Sequence, residues 1–272
     1  TGVGRPEPEL RIAAEQELVK TCRRILAPTD REKDNLVRYY GVSEQKIGVV
    51  PCGVNLDLFQ PQPKQTARKQ LGFDPDDIIL LFVGRFEALK GIDRILEAMT
   101  HLRDHRRIRL IIVGGDGDDA PESQFLKQKA INLGMEDKVM FAGRVEQKYL
   151  PPYFSSADVL VMASHYESFG LVGLEALACG RPVVATPVGA MEGLIQQSHA
   201  GYVVGDTLPR SLARGIQSVI TNSTPPADEI RKSVLAYSWS NVATAILKEY
   251  ETAIRHQSFE DGRPVSAQAL CG

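Results

Sequence analysis

Two glutamates eight residues apart, Glu167 and Glu175, bracket the stretch Ser168-Phe169-Gly170-Leu171. A carboxylate accepts hydrogen bonds from two neighbouring hydroxyls at once. Two carboxylates about 10 Å apart, on either side of a strand-to-helix corner, therefore suit two different polyols, one a hexose and the other a ribose. Between them, Gly170 allows the backbone to approach a ligand closely. The amides of Phe169, Gly170, Leu171 and Val172 fall at a helix N-terminus, where an anion or sugar hydroxyls dock favourably. The plainer alternative is that both acids only complement the helix dipole.

Upstream, the run "VGRFEALKG" places Gly84 and Arg85 at a strand end and Lys90 five residues after Arg85, near the next helix start. Two cations and helix-end N–H groups offset the charge of a diphosphate. The competing reading is an Arg and a Lys that solvate a loop. The following strand end, Gly115-Asp116-Gly117-Asp118-Asp119-Ala120, fits the letters of a dinucleotide fingerprint. Three aspartates there would repel a pyrophosphate, and Pro121 stands where the helix begins, so a plain turn and helix start is expected. The loop also lacks the glycine and glutamate of a calcium-binding loop. His101 and His105 have metal-like spacing, but they sit among arginines with no third ligand in view. They are expected to close a helix as favourable cations. No metal and no cofactor are expected.

These residues need a scaffold that brings strand ends together. From about residue 77 onward, short apolar runs alternate with helical patterns: "DIILLFVGRF", "KGIDRILEAMTHL", "IRLIIVGG", "ESQFLKQKAINLG", "KVMFAGRV", "DVLVMAS", "GLVGLEALACG", "RPVVATPV" and "LPRSLARGIQSVITN". Strands apolar on both faces, alternating with helices, predict an α/β fold with a Rossmann-like parallel sheet covered on both sides. Ligands then sit at the carboxyl ends of the strands. "KYLPPYFSSA" reads as a helix broken by its prolines, and the stretch around Pro61 and Pro63 as a linker. Tyr237 and Trp239 are expected to be core or interface aromatics.

The chain has 272 residues, 43% of them hydrophobic and 24% charged, with a formal net charge of -2. That is ordinary globular composition, without the basic field that nucleic acid would require. No apolar run reaches the roughly 20 residues of a membrane helix. Cys22, Cys52, Cys179 and Cys271 are scattered, which predicts free thiols in a reducing cytoplasm. The first residue is Thr1 and not Met, which suggests a fragment or a processed product.

Taken together, "VGRFEALKG", "FAGRV" and "ESFGLVGLEALACGRPVVATPVGA" resemble the retaining GT-B glycosyltransferases of family 4 (group 1). The N-terminal runs "RPEPELRIAAEQELV", "ILAPT", "YYG" and "VVPCGVNLDLF" are similar to the sucrose-phosphate-synthase and mycothiol branch. The resemblance spans about residues 6–254, and its specific element is the Glu167-to-Glu175 motif combined with Arg85 and Lys90. It implies a GT-B C-terminal domain that binds a nucleotide sugar, with a UDP-sugar as donor: residues 1–60 would be the tail of the N-terminal acceptor domain and its linker, 61–238 the donor-binding domain, and 239–272 a crossing helix and tail. Gly84, Arg85 and Lys90 would lie at the diphosphate, with Glu167 on the donor hexose. Ser168, Phe169, Gly170, Leu171 and Val172 would meet sugar hydroxyls and phosphate, and Glu175 the ribose diol. The backbone around Arg144 and Val145 would meet the base. Arg11 would match an arginine associated with an acceptor phosphate. Arg85, Lys90 and Glu167 would carry the catalytic burden, and the acceptor would be a sugar, a sugar phosphate or a lipid-linked sugar, the last implying peripheral membrane contact.

Two departures stand out. The acceptor domain of such enzymes, with its glycine-rich loop and active-site histidine, finds no match here, and His165 does not take that histidine's place. Gly189-Ala190 replaces the common Gly-Gly. The expectation is therefore a donor-binding half that transfers poorly alone. A non-catalytic nucleotide-sugar-binding module is the alternative, and a parent reading frame with an upstream acceptor domain would decide against it. A nicotinamide-dependent oxidoreductase is disfavoured because Gly84-Arg85-Phe86 replaces the glycine fingerprint. An epimerase or phosphorylase of the same architecture is a lesser rival.

Overall fold

The computed structural model describes residues 8–117 and 119–260. Asp118 of the acidic turn, Cys271, and the expected tail beyond residue 260 lie outside the described residues. The described residues divide into two compact units, one of Val54–Ser238, the other of residues 8–53 with 239–260.

The smaller unit begins with α1 (Glu9–Thr21), β1 (Ile25–Ala27), α2 (Asp30–Tyr40) and β2 (Ile47–Val49). The Thr29 hydroxyl caps α2 by accepting from the Glu32 amide at 3.1 Å, and Gly41 closes the helix in the left-handed conformation. Both signals are the ones the sequence carries for a helix start and stop. β1 and β2 pair in parallel, Ile25 opposite Ile47, and Ala27, Val42 and Ile47 form a small core.

The larger unit contains α3 (Lys64–Leu71), β3 (Ile78–Gly84), α4 (Ile92–Thr100), β4 (Ile108–Gly114), α5 (Pro121–Asn132), β5 (Val139–Gly143), α6 (Leu150–Ser156), β6 (Val159–Met162), α7 (Leu171–Ala178), β7 (Val183–Ala185), α8 (Met191–Ser198), β8 (Gly201–Val203), α9 (Pro209–Thr221) and α10 (Ala227–Lys232). The final helix, α11 (Trp239–Glu260), belongs to the smaller unit, where Glu249 receives Arg24 at 2.6 Å.

The six strands of the larger unit are all parallel, in the order β5-β4-β3-β6-β7-β8. The chain runs outward from β3 in one direction and from β6 in the other. The crevice between those two strands is thus the switch point where ligands of doubly wound sheets bind. α4 packs with α5 and α9, while α7 packs with α6 and α10. The core follows the periodicity: Ile92, Ile95, Leu96 and Met99 of α4 are all buried.

Two expectations change. Pro151 and Pro152 start α6 instead of breaking it. In the first turn a missing N–H removes no helix bond and the fixed φ suits the helix. The stretch after Pro63, read as linker, is the helix α3, with Pro63 directly before it. Its stabilisation is tertiary: Arg68, 3% exposed, donates to the Ser156 carbonyl at 3.0 Å and pairs with Asp158 at 2.7 Å. The short pieces α8, β8 and α10 were not legible, being too brief for a periodic signal. Tyr237 packs its ring against Phe169 with centroids 6.1 Å apart. Trp239 is not a core residue. It is 58% exposed and lies over Gly53.

Candidate functional site

The site is built from the ends of β3, β5 and β6 and the start of α7. β3 delivers Gly84 and Arg85. Arg85 is 74% exposed and pairs with Glu87 at 2.6 Å. Phe86 turns inward, edge-on to Phe141 at 6.2 Å, which fixes the direction of the loop. A 3-10 turn over Ala88–Lys90 then leads to Gly91, at φ 64°, which heads α4. A Cβ on Gly91 would collide with the Ala163 carbonyl oxygen. The absent side chain thus lets the Lys90 corner close onto the end of β6.

Lys90 reaches across that junction. Its Nζ lies 2.8 Å from Glu167 Oε1, and both side chains are largely shielded. The Ser164 hydroxyl donates to the same carboxylate oxygen at 2.8 Å. Thr186 in turn donates to the Ser164 carbonyl at 2.6 Å. Glu167 is thereby oriented through one oxygen, which leaves Oε2 for a further donor. The His165 amide donates to the Leu89 carbonyl at 2.8 Å, a second tie between the two loops. Burial, followed by the charge of Arg94, holds the His165 imidazole below its ordinary pKa.

The corner after Glu167 exposes Ser168 and buries Phe169. Gly170 enters α7 at φ 95°, a conformation that L side chains avoid. The amides of Leu171 and Val172 head a helix in which no earlier carbonyl can accept them. The side chain of Leu171 is 46% exposed. One turn on, Glu175 is only 8% exposed and accepts a 3.0 Å hydrogen bond from Gln147. Burial pushes the Glu175 pKa from 4.5 up to about 7, with the Gln147 bond pulling the other way. Gln147 stands four residues past the end of β5, and Arg144 (exposed) and Val145 (half-buried) precede it on the same loop.

The structure therefore brings Lys90 and Glu167 together and sets Glu175 in a separate, drier environment. Arg85 and Lys90 have different carboxylate partners. Arg11 lies in the other unit, on α1, exposed and bonded to Glu15 at 2.9 Å. Sequence reasoning missed Gln147, Ser164 and Thr186. The signal for Ser164 was its place at a strand end. Nothing local marks Gln147, whose role depends on β5 lying where it does. A separate cavity of about 580 Å³, lined by Phe86, Ile92, Phe125, Leu126 and His165 among others, includes none of Lys90, Glu167 or Glu175. Among the described residues no group of three or more His, Cys, Asp or Glu is placed to hold a metal ion. No helix of the described residues is long and apolar enough to cross a membrane.

The family model for glycosyl transferases group 1 matches residues 63–234, and that for glycosyltransferase family 4 matches residues 2–58. A D-inositol 3-phosphate glycosyltransferase of Geodermatophilus obscurus is 36% identical across 98% of this chain and 60% of its own length. The corresponding protein 2 of Catenulispora acidiphila is 36% identical across 98% of this chain and 63% of its own length. Among solved structures, sucrose-phosphate synthase from Thermosynechococcus elongatus superposes with a TM-score of 0.82 at 28% identity, covering 92% of this chain and 63% of that one. Anabaena HepE, solved with UDP and glucose, shares the fold with a TM-score of 0.76 at 23% identity, over 89% of this chain and 66% of that one. The chain spans about 60% of the length of the curated relatives it matches.

Proposed function

The chain belongs to the group 1 glycosyl transferases, and from that premise we propose that its larger unit holds the nucleotide-sugar donor of a glycosyl transfer that retains anomeric configuration. The observation that carries this reading is the Lys90–Glu167–Ser164 cluster at the switch point, next to the free amides of α7. A diphosphate at that point draws Lys90 toward itself and is met by Arg85 and the α7 amides. Glu167, relieved of its cation, accepts hydroxyls of the donor hexose. Glu175 takes the ribose diol. At a pKa of about 7 its carboxyl is partly protonated near neutrality, so it can both donate to and accept from the two hydroxyls. Gly84, Arg144, Val145, Ser168 and Phe169 complete the donor site.

In the transfer, the bond from the anomeric carbon to the β-phosphate oxygen breaks and a bond to the acceptor oxygen forms on the same face. The acceptor's proton passes to the departing phosphate. The charge that develops there is what Lys90 and Arg85 stabilise, because preorganised cations lower the barrier where charge appears. These steps need no metal. The relatives named for D-inositol 3-phosphate point to a sugar phosphate as acceptor, with Arg11 as a candidate phosphate contact. We place the reaction in the cytoplasm, on the ground that Cys22, Cys52 and Cys179 are unpaired.

Calorimetric titration with UDP, GDP and ADP, beside Glu175→Ala and Arg85→Ala, tests the donor site. Selective binding of UDP, weakened by both substitutions, is expected. A folded chain that binds no nucleoside diphosphate would overturn the reading.

A further inference from the structure

Arg94 is the third residue of α4 and only 8% exposed. Its Nη2 donates to the Ala163 carbonyl. Its Nε and Nη1 are buried with no hydrogen-bond partner among the described residues. The nearby acids are engaged elsewhere: Glu97 bonds Lys129 at 2.5 Å and Asp93 lies 3.8 Å from the same ammonium. Among the described residues no carboxylate bonds Arg94; Asp93 and Glu97 attract it only from a distance, and burial outweighs them. An unpaired buried guanidinium is costly, and buried orphan donors are rare enough to need a reason.

Its position supplies one. A Cβ built on Gly91 would come within 2.7 Å of Nη2 and 2.9 Å of Nε. The guanidinium and the Ala163 carbonyl oxygen it bonds thus share the space beside Gly91 that a side chain would take. Gly91 follows Lys90 directly, and Ala163 precedes Ser164. The same group underlies both loops of the cluster that places Lys90 on Glu167. We propose that Arg94 is a positioning residue of the donor site. It clamps the Lys90 corner to the end of β6, and the donor's diphosphate completes the compensation of a charge that Asp93 and Glu97 offset only in part. The protein supplies less counter-charge than burial demands, and the ligand brings the rest. This rests on the donor reading given above.

The test uses the 272-residue chain as wild type, Arg94→Met and Arg94→Lys, titrated calorimetrically with UDP and with UMP, and unfolded thermally without ligand. Replacing a buried, poorly compensated charge by an apolar group of similar shape is often neutral or stabilising. Arg94→Met is thus expected to melt at the wild-type temperature or above, yet to bind UDP about tenfold more weakly, the scale of one lost charge acting through the intervening loops. UMP affinity should change less than about threefold, since the charge lost acts on the second phosphate. Arg94→Lys should restore most of the UDP affinity. Should Arg94→Met not fold, Arg94→Gln makes the same comparison. Wild-type affinity for UDP in the methionine variant overturns the proposal, as does an equal loss for UDP and UMP. A wild-type chain that binds no UDP overturns the donor reading itself, and the assignment of Arg94 with it.

Discussion

Glu175→Gln separates a buried ionisable acid from a structural one. Glu175 has a pKa of about 7 in the folded chain against an ordinary 4.5, because its site is shielded from water. The folded state therefore binds more protons than the unfolded state between those values. An acid with a raised folded pKa makes stability fall as pH rises, from about 4.5 until about 7, after which the loss is complete. The interval of 7 − 4.5 = 2.5 units corresponds to about 3 kcal/mol. Most of that falls between pH 5 and pH 8 by the linkage relation. Glutamine keeps the shape and can still accept from Gln147, but it does not titrate. The assay is urea unfolding at 25 °C of wild type and Glu175→Gln at both pH values. All other groups are common to the two proteins, so the difference of differences isolates Glu175. Wild type should lose about 2–3 kcal/mol more than the variant on going from pH 5 to pH 8. Parallel pH profiles would refute the argument and mean that Glu175 remains solvated. In wild type, saturating UDP should offset part of the loss at high pH, since ribose hydroxyls give the carboxylate new donors.

Lys90→Met should weaken UDP binding by about 10–100-fold, in line with loss of a charge-assisted contact, and lower stability by about 1–2 kcal/mol by stranding Glu167. Adding Glu167→Gln should restore the stability but not the affinity, as calorimetry beside urea titration would read out. Gly91→Ala and Gly143→Ala change residues at φ 64° and 70°, but only the first new methyl meets a backbone carbonyl, while the second has open space. Gly143→Ala should cost about 1–2 kcal/mol from left-handed strain, and Gly91→Ala clearly more, by thermal unfolding. Asp158 accepts from the Ile79 amide at 2.7 Å and pairs with buried Arg68 and with Lys64. Asp158→Ala should cost about 3–5 kcal/mol by leaving a buried guanidinium unpaired. Equilibrium unfolding measures that, and UDP affinity per folded molecule should not change.

The sequence by itself determined the class of fold and the identity of the acids and cations. Runs such as Ile78–Gly84 and Ile108–Gly114 are apolar on both faces and alternate with helices, and burial on both sides of a parallel sheet is what that pattern demands. Gly170 ahead of an apolar helix, with Glu167 before it and Glu175 within it, is a local signal with a local cause. Caps such as Thr29 and Gly41 are likewise chosen within one turn of the chain.

Only the tertiary structure decided how these groups are paired. Lys90 and Glu167 are 77 residues apart, and Gln147 and Glu175 are 28 apart. Which side chains meet was fixed by the order in which β3, β5 and β6 sit in the sheet, information that no single segment carries. Burial made the same distinction between two acids of identical type. Glu167 remains paired with a cation at the crevice, and Glu175 is desolvated inside α7, its pKa raised. Helix α3 and the proline-led α6 show the same limit in the fold. Local rules made Pro63, Pro151 and Pro152 breaks, whereas packing placed all three at helix starts, where a missing N–H is harmless. Arg94 reads as one more polar residue in a helix until the folded chain buries its guanidinium between two loops with no bonded carboxylate among the described residues.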